Sequence, residues 1–288
     1  MRIWPERVFA LKVDIDTREG LNNGVPSLLD DFSALGLRAS FFMSWGPDNS
    51  GRALLKLFTS PRFFLKMLRT RATRTYGWRT AVSGVLLPAR MIGSARPDIV
   101  REIISQGSEV ELHAWDHRLW QDTLSRRSKE WIADWFNRAI SAHANATHNR
   151  PQAFAAPAWM IDAIALEEVS RRGFRYLSCT RAVEPFLLAP TGLPEIPGNI
   201  PCTEEVGGME EVAAAARAAG GGVLTLHAEV EGGPWKVQMR EKLLLPLMNE
   251  GYKFVTTGEM AARIGKTGLK ERRHEMRLLR GRSEPCAV

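Results

Sequence analysis

From Phe9 onward, short apolar runs alternate with helical stretches, and that alternation leaves few folds open to the chain. The runs are Phe9 to Asp14, Arg38 to Ser44, Glu109 to Leu112, Gln152 to Ala155, Phe174 to Ser178, Gly222 to His227 and Tyr252 to Val255. Helical patterns lie between and after them, over Val25 to Leu35, Asp98 to Gln106, Lys129 to His143, Ile161 to Arg172, Met209 to Ala219, Trp235 to Glu250 and Gly258 to Ile264. Strands separated by helices pair in parallel, because no tight turn can join them. About seven such units predict an α/β fold whose sheet closes, or nearly closes, into a distorted (β/α) barrel. At 288 residues the chain is long enough for one such barrel. Residues 1–264 read as that single domain, with a basic amphipathic insertion at about 50–97, and the basic segment 265–288 reads as a disordered tail.

Parallel barrels gather their chemistry at the C-terminal ends of the strands. Three loaded stretches stand at such ends here. Asp14 and Asp16 follow the first strand and, two apart, share one face of it. A lone DxD is otherwise an ordinary strand-to-loop turn. Glu111-Leu112-His113-Ala114-Trp115-Asp116-His117 carries two histidines four apart, a spacing at which both rings can face one point from a single helical turn. His227 ends the run Val223-Leu224-Thr225-Leu226. One carboxylate and two imidazoles suit a catalytic divalent metal with a position left for water. A second carboxylate can then take a proton from that water, and a separate histidine can protonate a leaving amine. Ala114 stands where a zincin carries its catalytic glutamate, which disfavours a metalloprotease.

The charge is unevenly placed. The net charge is +7, yet Asn49 to Pro97 holds ten Lys/Arg and no acid, and 265–288 holds seven more against three glutamates. The rest of the chain is therefore acidic by 7. Within the first basic stretch, Phe64, Met67 and Leu68 share a face while Arg62, Lys66 and Arg69 lie around it. Together with Arg52 these residues form a candidate docking surface for an anionic membrane. No nucleic-acid-binding motif accompanies the charge, so nucleic acid is not read as a partner. Cys179, Cys202 and Cys286 form no CxxC and no even framework, which points to a reducing compartment. No secretion signal and no span-length apolar run is visible, so the protein is read as cytoplasmic, peripheral on the inner face of the membrane.

The order DxD, HxxxH and a strand ending in His resembles the NodB-like polysaccharide deacetylase family of carbohydrate esterases. More narrowly, DIDTREG, REGLNNGVPSLLD, GPDNSGR, FFLKMLR, YGW, ELHAWDHRLWQ and TLHAEVEG resemble its deformylases of undecaprenyl-phosphate-linked 4-deoxy-4-formamido-arabinose. These stretches extend from about Val13 to about Gly232. The resemblance implies Asp16, His113 and His117 as metal ligands, Asp14 as catalytic base and His227 as catalytic acid. It implies one divalent metal ion, usually Zn2+, with Mn2+, Co2+ or Ni2+ accepted by related enzymes. It implies a lipid-linked amino sugar as substrate, with Glu229, Glu231, Arg181, Asp48 and Asn49 as its candidate contacts. Two residues depart from the pattern. Phe154-Ala155-Ala156-Pro157-Ala158-Trp159 lacks the arginine that orients the base in the broader family, and Met160 follows Trp159 where the deformylases tend to carry one. Cys179 replaces an expected aspartate. The reaction so implied is hydrolysis of a formamide to formate and a free amine. An N-deacetylase of another glycolipid or glycan, or an inactive membrane-associated barrel, are the other readings.

Overall fold

Strand β1 (Val8–Ile15) is buried along its whole length, as a strand covered on both faces must be. A computed structural model describes residues 3–52, 83 and 88–288. The odd-numbered side chains of β1, Phe9, Leu11, Val13 and Ile15, join the large apolar cluster under the helices. The even-numbered ones face the other way. Val8 and Ala10 pack with Phe42, Ala153, Ala155, Tyr176, Ile196 and Val223 inside the curl of the sheet. Lys12 and Asp14 continue that inner row.

The remaining strands are β2 (Ser40–Ser44), β3 (Glu109–Ala114), β4 (Ala153–Phe154), β5 (Tyr176–Leu177), β6 (Phe186–Leu188), β7 (Leu193–Glu195), β8 (Gly222–His227), β9 (Lys253–Val255), β10 (Glu271–Arg272), β11 (Met276–Arg277) and β12 (Cys286–Ala287). The main sheet runs β10-β6-β7-β5-β4-β3-β2-β1-β8, with β9 also paired to β1. Only β6 and β7 pair antiparallel within it. β8 and β10 end the order without meeting each other, so the expected barrel is a curled, incompletely closed one. The parallel order β1, β2, β3, β4, β5 follows the chain, each step crossing over through a segment that covers the outer face.

The helices form because their apolar faces have that outer surface to cover. The helix Val25–Leu35 starts with Pro26 in its first turn and ends at Gly36, whose φ of 65° closes the last turn without a Cβ in the way. The helix Lys129–Thr147 is capped by the Ser128 hydroxyl accepting from Trp131 N. It buries Trp135 and Phe136 against Trp120 and Phe154, with ring centroids 4.4 Å apart for Trp120–Trp135 and 5.0 Å for Phe136–Phe154. The helix expected over Trp235 to Glu250 forms as one continuous run of Lys236–Gln238, Met239–Leu244 and Leu245–Asn249, its turns widened over the middle stretch. Pro246, which has no N–H to give, sits at the start of the last piece.

Two segments were not anticipated as structure. Phe186 to Glu195 folds as the β6–β7 hairpin around Pro190, Thr191 and Gly192. The segment 265–288, expected to be a disordered tail, is instead folded onto the domain. β10 adds to β6, and β11 pairs with β12. Cys286 and Ala287 are fully buried, and Cys286 lies in one cluster with Trp159 and Cys202. The physical reason is that the basic stretch ends in an apolar tip with a place to dock, while Arg282 reaches Glu205 at 3.1 Å and the Ala158 carbonyl at 2.9 Å. The aromatic cluster under the Lys129–Thr147 helix yields a stability test. Phe136→Ala would open a cavity among four other rings and lower the unfolding free energy by about 3–5 kcal/mol, measured by urea titration.

Candidate active site

Asp14 and His227 are direct register partners on the adjacent parallel strands β1 and β8. Their Cα atoms are therefore held about 4.8 Å apart by the ladder, with both side chains on the same face. Asp14 is buried; its Oδ2 lies 3.0 Å from Lys12 Nζ, and its Oδ1 has no hydrogen-bond partner among the described residues.

Asp16 stands just beyond the end of β1 and meets both histidines of the third-strand motif. Its Oδ1 lies 3.1 Å from His113 Nε2 and its Oδ2 lies 3.4 Å from His117 Nε2. The three ligand atoms lie within 4.8 Å of one another. The two rings do not come from one helical turn, as their spacing suggested. His113 belongs to β3, and His117 is the first residue of the helix His117–Thr123, with the chain turning between them. Asp116 makes that turn: its carboxylate accepts from Leu119 N at 2.8 Å and caps the helix.

The donor set fits a metal ion. His113 Nδ1 lies 2.9 Å from the Ala155 carbonyl oxygen. A carbonyl only accepts, so Nδ1 donates to it, and this bond turns Nε2 toward the Asp16 carboxylate. Two imidazole Nε2 atoms at 3.1 and 3.4 Å from the two oxygens of one carboxylate form a donor set that a divalent cation can take. Burial pulls His117 down to about 4 against the pull of Asp16, so its ring is neutral at pH 7. Burial pushes the Asp16 carboxyl up, but His117, the bond to His113 and the charge of His227 outweigh it and hold the group well below the usual carboxylate range. One carboxylate oxygen donor with two neutral imidazoles is the three-ligand pattern of catalytic divalent sites.

His227 is set up differently. Burial would lower its pKa, but Glu204, Asp16 and Asp14 together raise it above the ordinary histidine value. Glu204 Oε2 lies 3.7 Å from His227 Nδ1, and the Trp159 ring meets the imidazole edge-on with centroids 6.4 Å apart. The His113–His117 pair around Asp16 and a histidine whose pKa is raised by its carboxylate neighbours thus lie side by side.

The expected sugar contacts divide. Glu229 is buried with Oε2 unpartnered, pressed so close to Gly20 that a Cβ there would meet it at 2.5 Å. Burial, then the Asp16 charge, raises its carboxyl well above the usual range. It remains a candidate contact. Glu231 is instead committed, accepting from His227 N and Thr203 Oγ1, both at 2.7 Å, so it supports the acid. Arg181 is committed too, with Nη1 on Glu205 at 2.6 Å and Nη2 on the Ile200 carbonyl at 3.2 Å. Asp48 accepts from Arg18 N at 2.9 Å, and Asn49 donates to Asp116 Oδ2 at 2.6 Å, so this loop braces the residue that caps the His117 helix. Arg52 is exposed at the edge of the described part; Arg62, Lys66 and Arg69, with most of the basic insertion, lie outside the described residues.

Four residues of the site were missed in the sequence. Asp116 stands before a helix start, an N-cap signal overshadowed by the histidines beside it. Lys12, a charge inside an apolar run and in phase with Asp14, was legible as an inward-facing cation. Glu204 and Trp159 carry no local signal, since only the fold brings them to His227.

Comparison with known proteins agrees with this geometry. The Polysaccharide deacetylase family profile matches residues 4–177. A Shewanella sediminis protein named probable 4-deoxy-4-formamido-L-arabinose-phosphoundecaprenol deformylase ArnD is 32% identical over 259 residues, covering 87% of this chain and 84% of that one. A Wigglesworthia glossinidia brevipalpis protein of the same name is 28% identical, covering 82% and 86%. The crystal structure of a Mycobacterium smegmatis protein with a provisional polysaccharide deacetylase name superposes with a TM-score of 0.63 at 17% identity, covering 96% of each chain, a likeness of fold. The curled parallel sheet, the motif order along it and these matches place the chain in the polysaccharide deacetylase family.

Proposed function

We propose that the protein is a metal-dependent amidohydrolase that removes the formyl group from undecaprenyl-phosphate-linked 4-deoxy-4-formamido-L-arabinose, in the biosynthesis of modified lipid A. The observation that carries the chemistry is the convergence of Asp16, His113 and His117 on one point beside the Asp14–His227 pair. The names of the two relatives support the choice of substrate.

Asp16, His113 and His117 would hold the ion, and zinc is favoured by two imidazoles and one carboxylate, with Mn2+, Co2+ and Ni2+ sharing enough of that preference to substitute. When bound, the ion supplies Lewis acidity to the formamide carbonyl and acidity to a water molecule. Asp14 acts as base through its free Oδ1, taking one proton from the attacking water. His227, its pKa raised by Glu204 and the site carboxylates, gives its proton to the sugar nitrogen as the C–N bond breaks. The water oxygen ends in formate and the amine leaves with two hydrogens. Trp159 against His227 and buried Glu229 close the pocket around a small acyl group.

Among the described residues, no helix is long and apolar enough to cross a membrane. We therefore read the protein as a peripheral one, docked on the cytoplasmic leaflet through the acid-free basic stretch that begins at Arg52.

Three outcomes follow. Elemental analysis will find about one equivalent of metal in the wild type and little in His113→Ala, with formate release from the formamido-sugar lipid lost in step. Acetate release in place of formate would move the reading to a deacetylase. Glu204→Gln removes a charge that raises the His227 pKa, so the acid form is lost at lower pH. The alkaline limb of kcat/KM then moves to lower pH, as a pH–rate profile will show. Charge reversal at Arg52, Arg62, Lys66 and Arg69 together will reduce sedimentation with anionic liposomes; unchanged sedimentation would refute the docking surface.

A further inference from the structure

Lys12 is a fully buried lysine in the middle of the catalytic strand. A buried ammonium is costly unless an anion answers it, and its neighbours decide what it is for. The flanking strands offer it no carboxylate, since its register partners are Ser40 on β2 and Thr225 on β8. Its charge goes instead to Asp14, two residues on and on the same inward face, with Nζ 3.0 Å from Oδ2. Two ring faces confine the ammonium, Phe42 with its centroid 5.3 Å away and Trp159 at 5.2 Å. The same Trp159 ring touches His227 with its edge, so one indole borders both the lysine and the acid.

A second buried carboxylate feels the charge of this lysine. Glu195, on β7 across the curl of the sheet, accepts from Cys179 N at 2.8 Å and Thr180 N at 2.7 Å through Oε1. Its Oε2 has no hydrogen-bond partner among the described residues. Burial raises this carboxyl to about 7, and the Lys12 charge is among the influences that draw it back. Glu195 thus stands beside the Cys179 backbone, where the sequence expectation had placed an aspartate.

We propose that Lys12 is a positioning residue for Asp14. It fixes Oδ2 and leaves Oδ1 free for the water, with the Phe42 and Trp159 rings confining the ammonium. This rests on the reading of Asp14 as the base. A base held at one oxygen needs no reorientation when the proton moves, and displacement of a positioned group by about 1 Å can cost on the order of 100-fold in rate.

The test compares the full-length, metal-loaded wild type with Lys12→Met, Lys12→Arg and the double variant Lys12→Met/Glu195→Gln. Formate and acetate release are both followed, alongside thermal stability and metal content. We expect Lys12→Met to keep its metal and lose kcat by about 10- to 100-fold with KM little changed. Its stability should fall, because two buried carboxylates lose their cation. The double variant, in which glutamine still accepts from the Cys179 and Thr180 amides, should recover stability without recovering kcat. Lys12→Arg, which keeps the charge, should retain more activity than Lys12→Met. Recovery of kcat together with stability in the double variant would make Lys12 merely structural and overturn the proposal, as would unchanged kcat in Lys12→Met. Acetate from the wild type would refute the formyl reading alone, since the Lys12 comparison is then read on acetate.

Discussion

One strand with cations and anions on its inner row sets the terms for the rest of the molecule. β1 carries Lys12 and Asp14 inside the sheet and delivers Asp16 beyond its end, while its other face anchors the apolar core. Placing an ammonium and a carboxylate in such a row requires walls that pair or confine them on every side. The neighbouring elements read as those walls: β8 brings His227 into register, β3 brings His113, and Trp159 closes over the lysine. The orientation of His113 follows from the same packing, because the Ala155 carbonyl just past β4 accepts from its Nδ1.

The parts of this arrangement that depend on local pattern were legible in the chain. Seven parallel strands and most of the helices announced themselves by apolar periodicity, and the helix Val25–Leu35 ends where Gly36 requires. Asp14, Asp16, His113, His117 and His227 stood out because their spacing at strand ends is chemically loaded. What could not be read was long-range. Glu231 and Arg181 looked like ligand contacts because charged residues in a motif invite that reading. Their buried partners, Thr203 for one and Glu205 for the other, lie far along the chain or on another element. The hairpin β6–β7, with strands of three residues each, is held by its neighbours more than by propensity, so its sequence carries a weak signal.

The segment after Ile264 shows how composition can mislead. Its arginines and glycines have the profile of a solvated tail, yet its end contributes Cys286 to a small apolar cluster with Trp159 and Cys202, and Ala287 to the main core. Arg282 then stacks over the Trp159 ring at 5.0 Å, opposite charges at Glu205 holding it there. A residue of the reaction pocket is therefore packed from behind by the far end of the chain. Trp159 itself, with φ of 53°, is one of few non-glycine residues in the left-handed region. Such a conformation persists where surroundings overdetermine it.

The register of Asp14 with His227 has a consequence for how such proteins diversify. The separation of their Cα atoms follows the spacing of the sheet, fixed by backbone ladders that tolerate almost any side chain elsewhere. Loops above the strand ends can lengthen, change charge or be replaced without altering it. In the proposed reaction that spacing sets where base and acid start from, so a change of acylated sugar falls to the loops and leaves the two strands as they are.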